Sequence, residues 1–166
     1  MSDVADLFRR LSAGVYVIGV ADADRRNAFT AAWLMQVSFD PLLLALSVNP
    51  EHASYPLLVG GGTFTVSVLA REQLDLARHF GTVSARETDK LAGIAWRPGR
   101  AGAPILEGAV AWLECRVTDR HAAGDHEIVL ARPVGGEVLR PDASPLTYGE
   151  TGELDGSREL YPPALS

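Results

Sequence analysis

The feature that most constrains this chain is a period-two alternation of apolar and polar residues. In 63–69, Phe64, Val66 and Val68 fall on one side while Thr63, Thr65 and Ser67 fall on the other. In 110–117, Ala111, Leu113, Cys115 and Val117 share one side, and Trp112, Glu114 and Arg116 share the other. Successive side chains of an extended chain point to opposite faces, so both stretches read as half-buried strands. Val15 to Val20 is β-branched and apolar, Asp22 to Arg26 is polar, and Asn27 to Ala32 resumes an extended pattern, which predicts a hairpin. Leu42 to Val48 is a continuous apolar run between Pro41 and Asn49-Pro50, the pattern of a strand buried on both faces. Asp125 to Ala131 and Pro145 to Tyr148 supply two further short strands.

Helical spacing is confined to short pieces. Val4, Leu7, Phe8 and Leu11 predict an N-terminal helix capped by Ser2 and ended near Gly14, with Asp3 and Asp6 at its positive end and Arg9 and Arg10 at its negative end. Ser54 is placed to cap a helix with Pro56 in its first turn and Leu57, Leu58 and Val59 inside, stopped by Gly60-Gly61-Gly62. Gln73, Leu74, Ala77 and Phe80 predict a helix over 72–80, and 81–108 reads as loop-rich. About seven strands with few helices predict a mainly β domain; the spacing suits a barrel or a sandwich, and periodicity does not choose between them.

Composition narrows the function classes. The chain has 166 residues, the size of one domain, and is expected to divide into a domain at 1–150 and a polar tail at 151–166, the tail being either poorly ordered or laid across a partner. The formal net charge of −6 offers no bulk attraction for nucleic acid or an anionic membrane. A single cysteine, Cys115, rules out an internal disulfide and a cysteine metal cage, and His52, His79, His121 and His126 lack paired metal-ligand spacing. The chain has no long apolar span and no signal-like start, so a cytoplasmic location is expected. Gly60-Gly61-Gly62 lacks the spacing of a dinucleotide loop and precedes a strand, so it reads as a helix stop.

A set of segments in fixed order resembles the flavin reductase family. Asn27 to Leu42 carries the family's small-residue and hydroxyl strand, then Val37-Ser38, then Pro41 and a buried strand. Val48-Asn49-Pro50-Glu51-His52-Ala53-Ser54-Tyr55 resembles its Asn/Ser-Pro-x-Arg-x-Thr-Tyr segment, and Gly62 to Leu69 its Gly-x-Phe-x-Val-Asn-Val-Leu strand. Asp89-Lys90-Leu91-Ala92-Gly93, Ala109 to Val117 and Gly124-Asp125-His126 match three more segments. No single motif is specific, but six in order are, and they cover Phe8 to Tyr148.

The resemblance implies an FMN-binding split barrel of six to seven antiparallel strands with a few short helices, working as a homodimer with the cofactor near the subunit interface. It implies an NAD(P)H-dependent flavin reductase that passes electrons to a second flavin, oxygen or a partner monooxygenase. In the resembling proteins Thr30, Ala31 and Ala32 line the isoalloxazine and ribityl, and Trp33 packs on the ring edge or serves core or interface. Asn49, His52, Ser54 and Tyr55 form the phosphate turn, with His52 standing where a stronger cation is expected. Ser67 reaches the pyrimidine edge or is an inert strand serine, Arg86 and Lys90 lie with Ser84 and Glu87 on a closing loop as phosphate or ribityl donors or as a solvated charge run, and His126 faces the nicotinamide or fixes the hairpin. Hydride transfer needs no protein nucleophile, so the lack of a catalytic triad is consistent with an enzyme. Two other readings stand beside it: an FMN-binding electron-transfer protein without significant NAD(P)H oxidase activity, and a module that has lost flavin affinity.

Overall fold

The structure, a computed structural model, describes residues 3–82 and 88–165. After a short helix α1 (Val4–Phe8), strands β1 (Tyr16–Asp22) and β2 (Arg25–Ala31) form the expected hairpin about Ala23 and Asp24. Strands β3 (Leu34–Phe39) and β4 (Leu42–Val48) form a second hairpin about a cis Asp40–Pro41 peptide. Helix α2 (Tyr55–Gly61), strand β5 (Thr63–Val68) and helix α3 (Leu74–Thr82) follow. Small strands β6 (Trp96–Pro98) and β7 (Pro104–Leu106) pair with each other, and β8 (Ala111–Ala123) and β9 (His126–Val138) make a long final hairpin.

Seven strands form one antiparallel sheet in the order β2-β1-β5-β8-β9-β4-β3. Its two outermost strands, β2 and β3, are neighbours in the chain, joined through Ala32 and Trp33 alone. So short a link brings the two ends of the sheet to one corner, and the sheet must curl. The core records the curl: Phe29 of β2 shares one buried cluster with Leu46 and Val48 of β4, Val129 and Ala131 of β9, Phe64 and Val66 of β5, and Leu57 and Leu58 of α2. A second cluster fills the outer side, where Val15, Val17, Ala28, Leu69 and Leu106 pack against Ala77 and Phe80 of α3. Each such fully buried apolar side chain contributes roughly 1.5–3 kcal/mol relative to exposure.

The strand buried on both faces is β1, not the one expected. In β1, Ile18 and Val20 face the inner cluster and Val17 the outer. Leu42 to Val48 lies next to the sheet's edge instead, so only Leu46 and Val48 are buried. Strand β5 is also covered twice, because β7 lies over its polar face: Thr65 Oγ1 donates to the Pro104 carbonyl and Ser67 Oγ accepts from Leu106 N at 3.0 Å. Gly19 permits that approach, since a Cβ there would collide with the Pro104 carbonyl oxygen.

Several element boundaries differ from the sequence reading for identifiable reasons. Asp3 caps α1, its Oδ1 accepting from Ala5 N at 3.0 Å, while the expected cap Ser2 lies outside the described residues, and the helix stops at Phe8. Ser54 occupies the N-cap position of α2 but its hydroxyl makes no cap bond. Gly60 and Gly61 complete α2, and only Gly62 (φ 65°) takes the left-handed stop. Strand β3 was not anticipated. The strands expected over 110–117 and 125–131 are both longer: β8 and β9 each run 13 residues, because mutual pairing rather than burial sustains them toward the Gly124-Asp125 turn. Pro145 and Thr147 make isolated bridges to Ala70 and Gly14 rather than a strand. The tail folds onto its own N-terminal helix: Arg158 binds Asp3, Asp6 and Glu153, and the Tyr161 ring lies 5.4 Å from that of Phe8.

Candidate functional site at the open edge of β2

Strand β2 pairs with β1 on one side only, and no strand pairs with its other edge among the described residues. Such an edge carries backbone donors and acceptors that a neighbouring strand would otherwise use. Side chains of both faces reach it. Asn27 and Phe29 point to the inner side, and Ala28 and Thr30 to the outer side against α3. The small residues Ala28, Thr30, Ala31 and Ala32 leave the main chain open to close approach by a flat ligand.

At the N-terminal end of β2 lies the turn after β4. Asn49 Oδ1 accepts from Glu51 N at 2.9 Å, and the Asn49 carbonyl accepts from His52 N at 3.0 Å. The His52 ring stacks obliquely on Phe29, with centroids 4.8 Å apart. Its Nδ1 accepts from Ser54 N at 3.2 Å, which places the ring hydrogen of the neutral tautomer on Nε2. Fully buried Ser54 accepts from Asn27 Nδ2 at 2.6 Å, tying the turn to β2. Tyr55 is committed elsewhere: its hydroxyl donates to Glu127 Oε1 and accepts from Arg120, both at 2.9 Å. Burial, then the Glu127 carboxylate, push that hydroxyl above the ordinary tyrosine range. A groove of about 1400 Å³ opens beside this turn, lined by Arg25, Arg26, Asn27, His52, Ala53, Lys90 and Trp96 among others.

At the other end, Trp33 is 55% exposed, and its ring centroid lies 4.9 Å from that of His126. The Trp33 carbonyl accepts from Ser47 N at 2.9 Å, pinning the link between the sheet ends to β4. His126 Nδ1 contacts Asp125 Oδ1 at 2.8 Å, and this bond holds the Asp125 carboxyl below its usual range. Among the described residues Nε2 has no protein partner. An apolar pocket of about 520 Å³ lies here, bounded by Tyr16, Ala32, Trp33, Ser47, Tyr148 and Tyr161. A smaller one of about 100 Å³ adjoins it at Thr30, Ala31, Ala32, Gly81 and Leu154. The tyrosines and the tail wall were missed by sequence reasoning, which treated 151–166 as peripheral; Asn27 stood inside a quoted motif without a role.

Most of the sequence-predicted residues therefore fall along one line. Asn49, His52 and Ser54 flank the start of the β2 edge, Thr30 to Ala32 form its middle, and Trp33 and His126 form its end. Thr30 spends its hydroxyl on the Ala77 carbonyl at 2.8 Å, so its contribution to a ligand would come from the main chain. Ser67 is buried under β7 and lines none of these hollows. Arg86, with Ser84 and Glu87, lies outside the described residues. The Lys90 ammonium turns inward to the Phe80 carbonyl at 3.2 Å, and burial lowers its pKa to about 8. Cys115 is buried in the inner core with its thiol pushed up to about 12, first by burial and then by the Glu114 carboxylate, which removes it as a nucleophile at neutral pH.

Comparison with known proteins shows the family. Residues 8–154 match the family model described as flavin reductase like domain, and the chain belongs to that family. A putative diflavin flavoprotein A 2 of Synechocystis is 36% identical over 140 residues, which are 84% of this chain and 24% of that protein. The reductase subunit HsaB of a flavin-dependent monooxygenase of Mycobacterium tuberculosis is 34% identical over 70% of this chain and 60% of its own length. The chain thus spans about a quarter of the diflavin relative and less than two thirds of HsaB. Among solved structures, the NADH:FAD oxidoreductase SgcE6 of Streptomyces globisporus superposes with a TM-score of 0.82 at 29% identity, covering 89% of this chain and 88% of that one.

Lys90 gives a pH test of the site's outer wall. Its folded pKa of about 8 lies below the ordinary 10.5, so between these values the unfolded chain binds more protons and stability rises with pH. From about pH 9 the raised Cys115 pKa opposes this, because the unfolded thiol ionises first. Urea unfolding is expected to show higher stability at pH 9 than at pH 7.5, and Lys90→Met should flatten that rise; a rise that persists in the variant would assign it to another group.

Proposed function

We propose that this chain binds FMN along the open edge of β2 and catalyses reduction of the bound flavin by a reduced nicotinamide, as a homodimer. The observation that carries the reading is the edge itself: one unpaired strand, set with small side chains, runs from the His52 turn to the Trp33–His126 contact. From Asn27 to Trp33 it spans roughly 20 Å at about 3.3 Å per residue, room for a three-ring system, a ribityl chain and a phosphate end to end.

The chain's residues suit that group. The unpaired main chain of Thr30 to Ala32 offers donors and acceptors of the kind a pyrimidine edge requires, and the apolar pocket beside Trp33 suits flat rings. His52 donates from Nε2 toward a phosphate without needing a charge, since protonating Nδ1 would break its bond from Ser54 N. Asn27 holds the turn against the strand, so both ends of the ligand are positioned by one rigid element. When bound, flavin supplies the hydride acceptor. His126, oriented by Asp125 and packed against Trp33 of the pocket's lining, would orient the nicotinamide carboxamide. The electrons then pass to a second flavin, oxygen or a monooxygenase partner, in line with the name of the HsaB relative.

The dimer rests on the face beside this pocket. Trp33, Met35, Val37, Phe39 and Leu42 are exposed together along β3 and the start of β4, with Phe39 87% exposed. A contiguous apolar face of this kind marks an interaction surface. A second copy laid on it would cover the pocket at Trp33.

Three outcomes test these statements. His52→Ala should weaken FMN about tenfold or more while leaving riboflavin nearly unchanged in a fluorescence titration; equal losses would place the phosphate elsewhere. His126→Ala should slow anaerobic flavin bleaching by NADH or NADPH with little change in FMN affinity, whereas bleaching by dithionite alone in the unaltered protein would support the electron-carrier reading. Phe39→Glu should halve the mass measured by light scattering, and an unaltered chain already monomeric would remove the dimer.

A further inference from the structure

The outer face of the sheet carries a row of arginines. Arg26 of β2 pairs with Ala21 of β1. One step past the Val20–Phe64 pair, Thr63 of β5 pairs with Arg116 of β8, which in turn pairs with Arg132 of β9. Val20, Phe64, Cys115 and Ala131 belong to the inner cluster, so their chain neighbours Ala21, Thr63, Arg116 and Arg132 point outward, and Arg26 shares the outer face with Ala28. Arg26, Arg116 and Arg132 are exposed. The turn between β6 and β7 lies over the same row: a Cβ on Gly102 would meet the Ala21 Cβ at 3.9 Å, and Ala101 N donates to Glu114 Oε1 at 3.2 Å. Exposed Arg100 stands in that turn. Two guanidiniums are held by indoles, Arg26 over Trp96 at 5.5 Å and Arg97 over Trp112 at 4.9 Å from the ring centroids.

We propose that this row is a docking surface for an acidic segment of a partner protein. The chain has 21 acidic residues against 15 basic ones, and arginines elsewhere hold carboxylates, as Arg71, Arg140 and Arg158 do. Among the described residues, Arg26, Arg97, Arg100, Arg116 and Arg132 form no ion pair. The carboxylates nearest in register do not neutralise them: Glu114 is buried under the β6–β7 turn, and Glu137, across from Trp112, is exposed. Arg116 and Arg132 stand directly opposite each other, and like charges so placed destabilise a sheet. A merely solvated face has no need of that repulsion, whereas an anionic partner relieves it. The row crosses five strands, about 19 Å at ~4.8 Å per step, too wide for one phosphate and matched by an extended peptide of about six residues. A guanidinium fork takes a carboxylate through two parallel hydrogen bonds, and the two indoles restrict their forks before a partner arrives. The net charge of −6 opposes a uniformly charged polymer such as nucleic acid, while a protein brings its carboxylates to one place. Arg26 also lines the groove beside the turn after β4, so a docked partner sits at the rim of that groove.

The test uses the full chain and a fluorescein-labelled oligoglutamate peptide, followed by fluorescence anisotropy at low ionic strength. Arg116→Ser with Arg132→Ser should weaken the peptide about tenfold and flatten the salt dependence of binding. Arg10→Ser with Arg78→Ser removes the same charge from another part of the surface and should change affinity less than about twofold. A second readout separates docking from folding. Arg132→Glu places a carboxylate opposite Arg116, so Tm should rise by about 1–4 °C while peptide binding is lost. No peptide binding, equal losses in the two double variants, or a lower Tm in Arg132→Glu would overturn the proposal. So would tighter binding of a single-stranded oligonucleotide of equal charge through the same arginines, which would assign the face to nucleic acid. A change of mass by light scattering in Arg116→Ser with Arg132→Ser would overturn it too, because the face would then join two copies of this chain. Neither readout involves flavin, so the result stands apart from the proposed function.

Discussion

The structure depends on the shortness of the link between β2 and β3. Only Ala32 and Trp33 separate the two outermost strands of a seven-stranded sheet, so its ends must meet at a corner. They meet without pairing, and the edge of β2 is left with backbone groups that no strand among the described residues satisfies. Water can satisfy them in the free protein, but a planar ligand with donors and acceptors along its rim satisfies them in a defined register. The same link carries Trp33 to the start of β9, where the tight Gly124-Asp125 turn sets His126 against it. A longer connection would release both constraints.

Two buried polar contacts make the edge rigid from opposite sides. On the inner face Asn27 donates to Ser54, and on the outer face Thr30 donates to the Ala77 carbonyl in the middle of α3. An isolated buried hydroxyl or amide is costly, and each of these is satisfied by the other's element. The strand is therefore clamped between two helices while its edge stays accessible. Ser54 illustrates the difference between residue type and role. It sits at a helix N-cap, as its chemistry suggests, yet its hydroxyl serves the tertiary contact to Asn27 instead of the helix.

How much of this could be read from the chain follows from which forces are local. The alternation of Phe64, Val66 and Val68 identified β5, and the apolar run at Val15 to Val20 identified β1, because burial writes itself into side-chain pattern. Strand β3 escaped notice because Met35, Val37 and Phe39 face outward, and apolar residues on an exposed edge give no inside-outside contrast. The long β8–β9 arm escaped because its outer half is held by cross-strand pairing of polar residues, a non-local cause. For the candidate site, the ordered motifs pointed to the His52 turn, the β2 strand and His126, which the fold brings to one edge. They did not reveal that Lys90 and Ser67 turn into the protein, since the direction of a side chain depends on what packs above it: the Phe80 carbonyl in one case, and Leu106 of β7 in the other.

The tail adds a constraint of its own. Tyr148 and Tyr161 close one wall of the apolar pocket, and Arg158, gripped by three carboxylates, anchors that segment to α1. Exposed ion pairs of this sort are individually weak and screened by salt. The pocket thus has one wall fixed by β-sheet pairing and a second held by contacts of low individual strength. Built this way, the edge of β2 keeps a fixed geometry while the tail wall of the pocket yields at small energetic cost.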